Sequence, residues 1–152
     1  MTAKSLFAIA SIAAFTVGAQ THAMAQVVIS GDYYEQRYSH GCANAPACRM
    51  NLLPIPSNKI LDIEHVYCTI ETDMPLTRLY MGATATSGGS PQRVITFPFS
   101  TQNYSSGYYR ISVNMPVKYR IGASPYIFFQ SSLEGPGYAS LTCTVVGTTS
   151  PR

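Results

Sequence analysis

Tryptophan is missing from this chain, histidine occurs three times in 152 residues, and charged side chains make up only 11% of them. Each shortage excludes something. The basic residues (Arg37, Arg49, Lys59, Arg78, Arg93, Arg110, Lys118, Arg120 and Arg152) are scattered singly. A nucleic-acid interface needs a dense cationic footprint that neutralises many phosphates, so nucleic acid is not an expected partner. Without tryptophan, the largest flat ring for stacking on a sugar is absent, which counts against a sugar-binding platform. No stretch after residue 25 sustains a 3.6-residue apolar period, which argues against amphipathic helices. None there is long and apolar enough to span a bilayer, which takes about 20 residues.

Catalytic signatures are also missing. There is no G-x-S-x-G elbow, no H-E-x-x-H, no phosphate-binding P-loop and no glycine-rich dinucleotide turn. Beyond residue 25 the only histidines are His40 and His65. A Ser-His-Asp site drawn from His65 and Asp62 has no supporting spacing. Asp62 with Glu64 reads as a solvated strand end, and Glu71 with Asp73 as a turn, rather than as an acid/base pair across a cleft. A metal set of Asp62, Glu64 and His65 would place its ligands on opposite faces of a strand. His40 with Cys42 and Cys48 would need thiolates that an oxidising compartment removes. The expectation is a non-catalytic protein with no cofactor and no metal.

What is present begins with an export signal. Lys4 precedes an apolar run from Leu6 to Gly18, about 13 residues and too short to span. Ala23-Met24-Ala25 then supplies a small-residue cleavage site. Residues 1–25 are expected to be removed before Gln26, leaving a periplasmic or extracellular chain with no membrane span. The remaining 127 residues suffice for one domain with its own core. They carry nine Lys/Arg, once Lys4 is discounted, against seven Asp/Glu, so the net charge is +2.

All four cysteines lie after the signal, and an even count in an exported chain reads as a disulfide framework. Three connectivities are possible. The spacing favours Cys42–Cys48, closing the short segment GCANAPAC, and Cys68–Cys143, joining the centres of two strand-like stretches.

Strand patterns dominate the rest. Residues 26–59 read as an irregular N-terminal wrap, in which Val27 to Ser30 could form a short edge strand and Pro54 and Pro56 exclude helix. The regular domain is expected over 60–147. Val66, Cys68 and Ile70 alternate with Tyr67, Thr69 and Glu71, whereas Leu61 and Ile63 have the opposite parity, and a bulge near Glu64-His65 would restore register. Further strands are expected over Pro75–Thr84 and Arg93–Ser100. Tyr108–Ile121 reads as one bent strand or as two meeting at Met115-Pro116. After YIFFQSS, a turn at Glu134–Gly137 should lead into a closing strand with Leu141, Cys143 and Val145 inward. Residues 148–152 read as a frayed tail. About seven or eight strands at this spacing predict an all-β fold, a two-sheet antiparallel β-sandwich of jelly-roll or Ig-like type.

Eleven tyrosines, all beyond residue 25, are the one constellation suited to binding. Many would serve as core and cross-strand filler, as Tyr109 and Tyr119 do by their parity. Tyr33, Tyr34 and Tyr38 fall in the irregular segment, and Tyr104 and Tyr108 flank a loop. Exposed tyrosines offer a flat amphipathic face with a hydroxyl, which suits a glycan or a protein. The expected function is binding of an envelope glycan or of another exported protein. The rival is a structural subunit that assembles through an edge strand, and a small hydrolase is a more distant third.

Overall fold

The computed structural model describes residues 25–99, 102–122 and 126–152. Eight strands make up the fold: β1 (Ala25–Ser30), β2 (Tyr33–Asn51), β3 (Lys59–Thr72), β4 (Leu76–Thr84), β5 (Arg93–Thr96), β6 (Asn103–Ser105), β7 (Tyr108–Ile121) and β8 (Tyr126–Pro151). Every pairing is antiparallel, and no helix occurs among the described residues. The strands run in the order β1-β2-β8-β3-β7-β6, with β4 attached to β8 and β5 to β4.

Two long strands carry the whole sheet. The second half of β8 pairs with the start of β2 and with β3. The first half of β8 pairs with the end of β2 and with β4. A larger and a smaller half of the sheet therefore share β2 and β8, and both strands bend between them. In β2 the register slips between Cys42 and Ala45 and again between Ala45 and Ala47. Six residues of extended strand would span about 20 Å, yet the Cα atoms of Cys42 and Cys48 lie 5.5 Å apart and the two sulfurs are bonded. Asn44 turns the corner in the left-handed region at φ 54°, where asparagine is among the residues best tolerated. Across from it, Glu134–Gly137 is not a turn between two strands but the bend of one.

The interior follows from period-two alternation. Leu61 and Ile63 are buried, and so are Val66, Cys68 and Ile70. The register shift between Ile63 and His65 reconciles the two parities, at the place where the sequence demands it. Gly147 sits opposite this bulge, where the Asp62 carbonyl comes so close that a Cβ could not fit. One hydrophobic cluster joins both halves of the sheet, from Leu141 and Val145 to Met81 and Phe129. Phe97 stacks on Phe129 at 6.2 Å between ring centroids. The Tyr119 hydroxyl of β7 donates to the Arg93 carbonyl of β5 at 2.8 Å, tying the larger half to the smaller. Each buried Leu, Ile or Phe contributes roughly 1.5–3 kcal/mol of transfer free energy to this core.

Two further local expectations change. Residues 26–59 are not an irregular wrap, because β1 and β2 form a hairpin across Gly31-Asp32 and β2 runs 19 residues. Its alternation escapes a hydrophobicity reading because the inward positions are Tyr34, Gln36 and Tyr38 rather than aliphatic residues. Residues 148–151 are not frayed: they continue β8, pairing as far as Lys59 with Pro151, and the Arg152 amide donates to the Asn58 carbonyl. Of the two readings of Tyr108–Ile121, the single strand holds, since β7 is continuous through Met115-Pro116. The expected signal, residues 1–25, lies outside the described residues apart from Ala25, which opens β1.

Candidate functional site

The outward face of the larger half is built by parity alone. Wherever β2, β8, β3 and β7 turn one residue to the core, the next points to solvent. Register sets the outward residues in rows, such as Arg37, Thr144, Tyr67 and Asn114, followed by Ser39, Thr142, Thr69 and Ser112. Hydroxyls, an amide and one guanidinium thus occupy the centre of the face. There they line an open depression of about 250 Å³, with no carboxylate among its lining residues.

Four exposed tyrosines share this face. Tyr33 lies on β2 towards one end, Tyr67 near the centre on β3, and Tyr108 and Tyr138 at the opposite end on β7 and β8. Their relative exposures fall between 37% and 43%, so each is partly covered by the protein and partly open to solvent. His65 stacks on Tyr67 with ring centroids 4.5 Å apart and planes 21° from parallel. Its Nε2–H donates to Asn114 Oδ1 at 2.6 Å, fixing both side chains beside the Tyr67 ring. Tyr108 and Tyr138 meet edge to face at 6.2 Å. The Tyr138 backbone amide is held by Asp73 Oδ1 at 2.6 Å.

Charge on the face is largely paired at its margins. Arg110 lies 3.5 Å from Glu71, and Arg120 lies 3.6 Å from Asp62. The Glu64 carboxylate accepts from the Thr148 hydroxyl at 3.1 Å. The Tyr33 hydroxyl donates to Glu35 Oε2 at 2.6 Å, and that hydrogen bond raises the phenol pKa above its ordinary value, with a smaller contribution in the same direction from desolvation. Surface pairs of this kind add little stability, but they leave few free charges to repel a neutral ligand.

The residues expected from sequence divide. Tyr33 and Tyr108 stand on the exposed face. Tyr34 does not: its parity on β2 turns it inward, it is 2% exposed, and its hydroxyl donates to the buried Gln36 Oε1 at 2.6 Å. Burial pushes its pKa up to about 12. Tyr38 shares that parity and packs partly buried against the core. Tyr104 is 64% exposed, but it pairs with Tyr109 across the β6–β7 hairpin and so has the inward parity. Tyr67 and Tyr138 are the additions. Their signal was in the alternation, since each lies one residue from an inward-facing neighbour, Cys68 and Ala139 respectively.

The disulfides are Cys42–Cys48 and Cys68–Cys143. Two disulfides are typical of chains that mature in an oxidising compartment. The His40 ring stands close to Cys42 and Cys48, with the three potential ligand atoms within 4.8 Å of one another. Both sulfurs are committed to their mutual bond, so this group offers no thiolate to a metal. Among the described residues, no helix is long and apolar enough to cross a membrane. No protein-family model matches this chain, and comparison with curated proteins finds no relative.

Proposed function

We propose that this chain is an exported, non-catalytic β-sandwich protein that binds a glycan of the cell envelope on the outward face of its larger half-sheet. The observation that carries the reading is the gathering of Tyr33, Tyr67, Tyr108 and Tyr138 on one polar face. A sugar ring presents C–H groups on its flat side and hydroxyls at its rim. Tyrosine rings suit the first, while Asn114, Arg37 and the Ser/Thr hydroxyls around the depression suit the second. The central lining carries Arg37 and no carboxylate, which favours a neutral or anionic glycan over a cationic one. In this reading the two half-sheets close as the layers of a sandwich over the shared core, and the disulfides hold that frame after export into a periplasm or beyond the cell.

A catalytic role has less support. The hydrogen-bond partner of His65 is an amide, Asn114, which orients the ring but supplies no negative charge to stabilise an imidazolium as a carboxylate would. The test is an array of envelope polysaccharides probed with the mature protein and with Tyr67→Ala and Asn114→Ala. Both positions face solvent, so the variants should fold, and both should lose binding. Silence of the wild-type protein on every glycan would sink the proposal.

A further inference from the structure

Two of the sheet's free edges are built in opposite ways. Among the described residues, no strand pairs with the outer edge of β7 from Ile111 to Ile121, beyond its short pairing with β6, and this stretch carries Pro116, Lys118 and Arg120. Proline lacks the N–H a new strand would need, and lysine and arginine resist docking, so this edge is defended. Among the described residues, no strand covers the outer edge of β1, and it has no such defence. Its six residues, AQVVIS, contain no charged side chain and no proline, and all six are exposed; cleavage before Gln26 removes only Ala25 of the six and keeps Gln26 to Ser30. Val27, Val28 and Ile29 are 39%, 40% and 50% exposed, so apolar side chains lie open on both faces of the strand.

The hairpin fixes which backbone groups are free. Ser30 and Tyr33 flank a two-residue loop and therefore form the hydrogen-bonded pair next to the turn. Counting back, Val28 and Gln26 also bond to β2, while Val27 and Ile29 direct their N–H and C=O groups outward. A second β1, antiparallel and centred on Val28, then meets the first in full register. Val27 stands opposite the second copy's Ile29, and Gln26 opposite the second copy's Ser30. Apolar residues face apolar ones and polar residues face polar ones, with no charged side chain in the strand; the one charge, the α-amino group that cleavage leaves on Gln26, stands opposite the second copy's Ser30 and not opposite its like.

We propose that two copies of this chain pair through β1, antiparallel about a two-fold axis at Val28, to form a continuous sheet across the dimer. The self-matching pattern selects a second copy over an unrelated strand, because a two-fold contact must be complementary to itself. The interface is a single short strand, so the dimer is weak and concentration-dependent. β1 supplies no residue to the lining of the central depression, although Gln26 and Ser30 pair with Arg37 and Tyr33 of that face, so dimerisation and glycan binding are read by separate experiments.

Sedimentation of the mature protein from dilute to concentrated solution tests this directly. The wild type should shift from monomer to dimer as concentration rises. Val28→Lys places two like charges opposite each other and should weaken the dimer by roughly tenfold or more. Val28→Cys reads the register: its two thiols meet on the axis, so mild oxidation should give a covalent dimer linked at position 28. Val27→Cys should not link to itself, but should link to Ile29→Cys when the two variants are mixed. Mass mapping confirms that the native pairs remain Cys42–Cys48 and Cys68–Cys143. A wild-type protein that stays monomeric at all concentrations, or a dimer indifferent to Val28→Lys, overturns the proposal.

Discussion

Cys68 and Cys143 stand directly opposite each other on β3 and β8, with Cα atoms 4.1 Å apart and both side chains on the buried face. The bond is therefore a staple between neighbouring strands of one sheet. It also closes a loop of 75 residues, against six for Cys42–Cys48. Loop-closure entropy gives about 4.5 kcal/mol for the long loop and about 2 for the short one. Cys143→Ser should thus destabilise the protein about twice as much as Cys48→Ser in urea unfolding. Equal losses would show that the Cys42–Cys48 corner stabilises through native geometry rather than through the unfolded chain.

Gly147 offers a sharper test of the bulge. A methyl group there would collide with the Asp62 carbonyl, which is backbone and cannot swing away. Gly147→Ala should cost about 3 kcal/mol or more, at the upper end for overpacking. The midpoint of denaturation should fall while the denaturant slope stays constant. A neutral substitution would mean that the register shift between Ile63 and His65 can move.

The parity switch at Ile63 to Val66 was legible because Leu61, Ile63, Val66, Cys68 and Ile70 are all apolar and alternate visibly. The disulfide partners were legible from position, since Cys68 and Cys143 fall at the centres of apolar alternations. The β1–β2 hairpin was not. Its inward residues include Gln36, fully buried, and Tyr34, whose hydroxyl supplies Gln36 Oε1 with a hydrogen bond. A hydrophobicity pattern cannot register a buried polar pair. The same blindness misplaced Tyr34 as a surface ligand. Glu134-Gly135-Pro136-Gly137 reads locally as a turn, and only its pairing with the equally bent β2 keeps both halves of β8 in one strand. The tyrosine face was half legible: Tyr67 is outward by simple alternation, but its grouping with Tyr33 and Tyr138 depends on a strand order that no local pattern contains.

Arg49 should act as a lid. Its guanidinium lies 4.0 Å from the centroid of the Phe128 ring and is held by Asn51 Oδ1 at 3.2 Å and the Gly89 carbonyl at 3.0 Å. Phe128 is fully buried yet stands apart from the main core cluster, with Tyr80 meeting it edge-on. Arg49→Ala uncovers the ring and removes the cation–π contact, for an expected loss of about 2 kcal/mol. Arg49→Lys keeps the charge but not the two-way fork, and should recover only part of that loss. Thermal unfolding of the two variants separates the contributions.

Alkaline pH should unfold the protein in a way traceable to Tyr34. Burial raises its phenol pKa from 10.0 to about 12, so the folded state holds this proton after the unfolded state has released it. Between those values the folded chain binds more protons than the unfolded one, and stability must fall as pH rises. The contribution is fully present below about pH 10 and is lost on approaching pH 12; a shift of two units corresponds to about 2–3 kcal/mol. Tyr119 adds to the same trend, as burial raises its pKa despite the opposing influence of Arg93. Tyr34→Phe has no proton to lose. It should be less stable at neutral pH, because Gln36 Oε1 forfeits its donor, yet show a shallower decline over the alkaline window. Chemical denaturation at a series of pH values compares the two proteins. Parallel declines would assign the alkaline loss to groups other than the buried phenol.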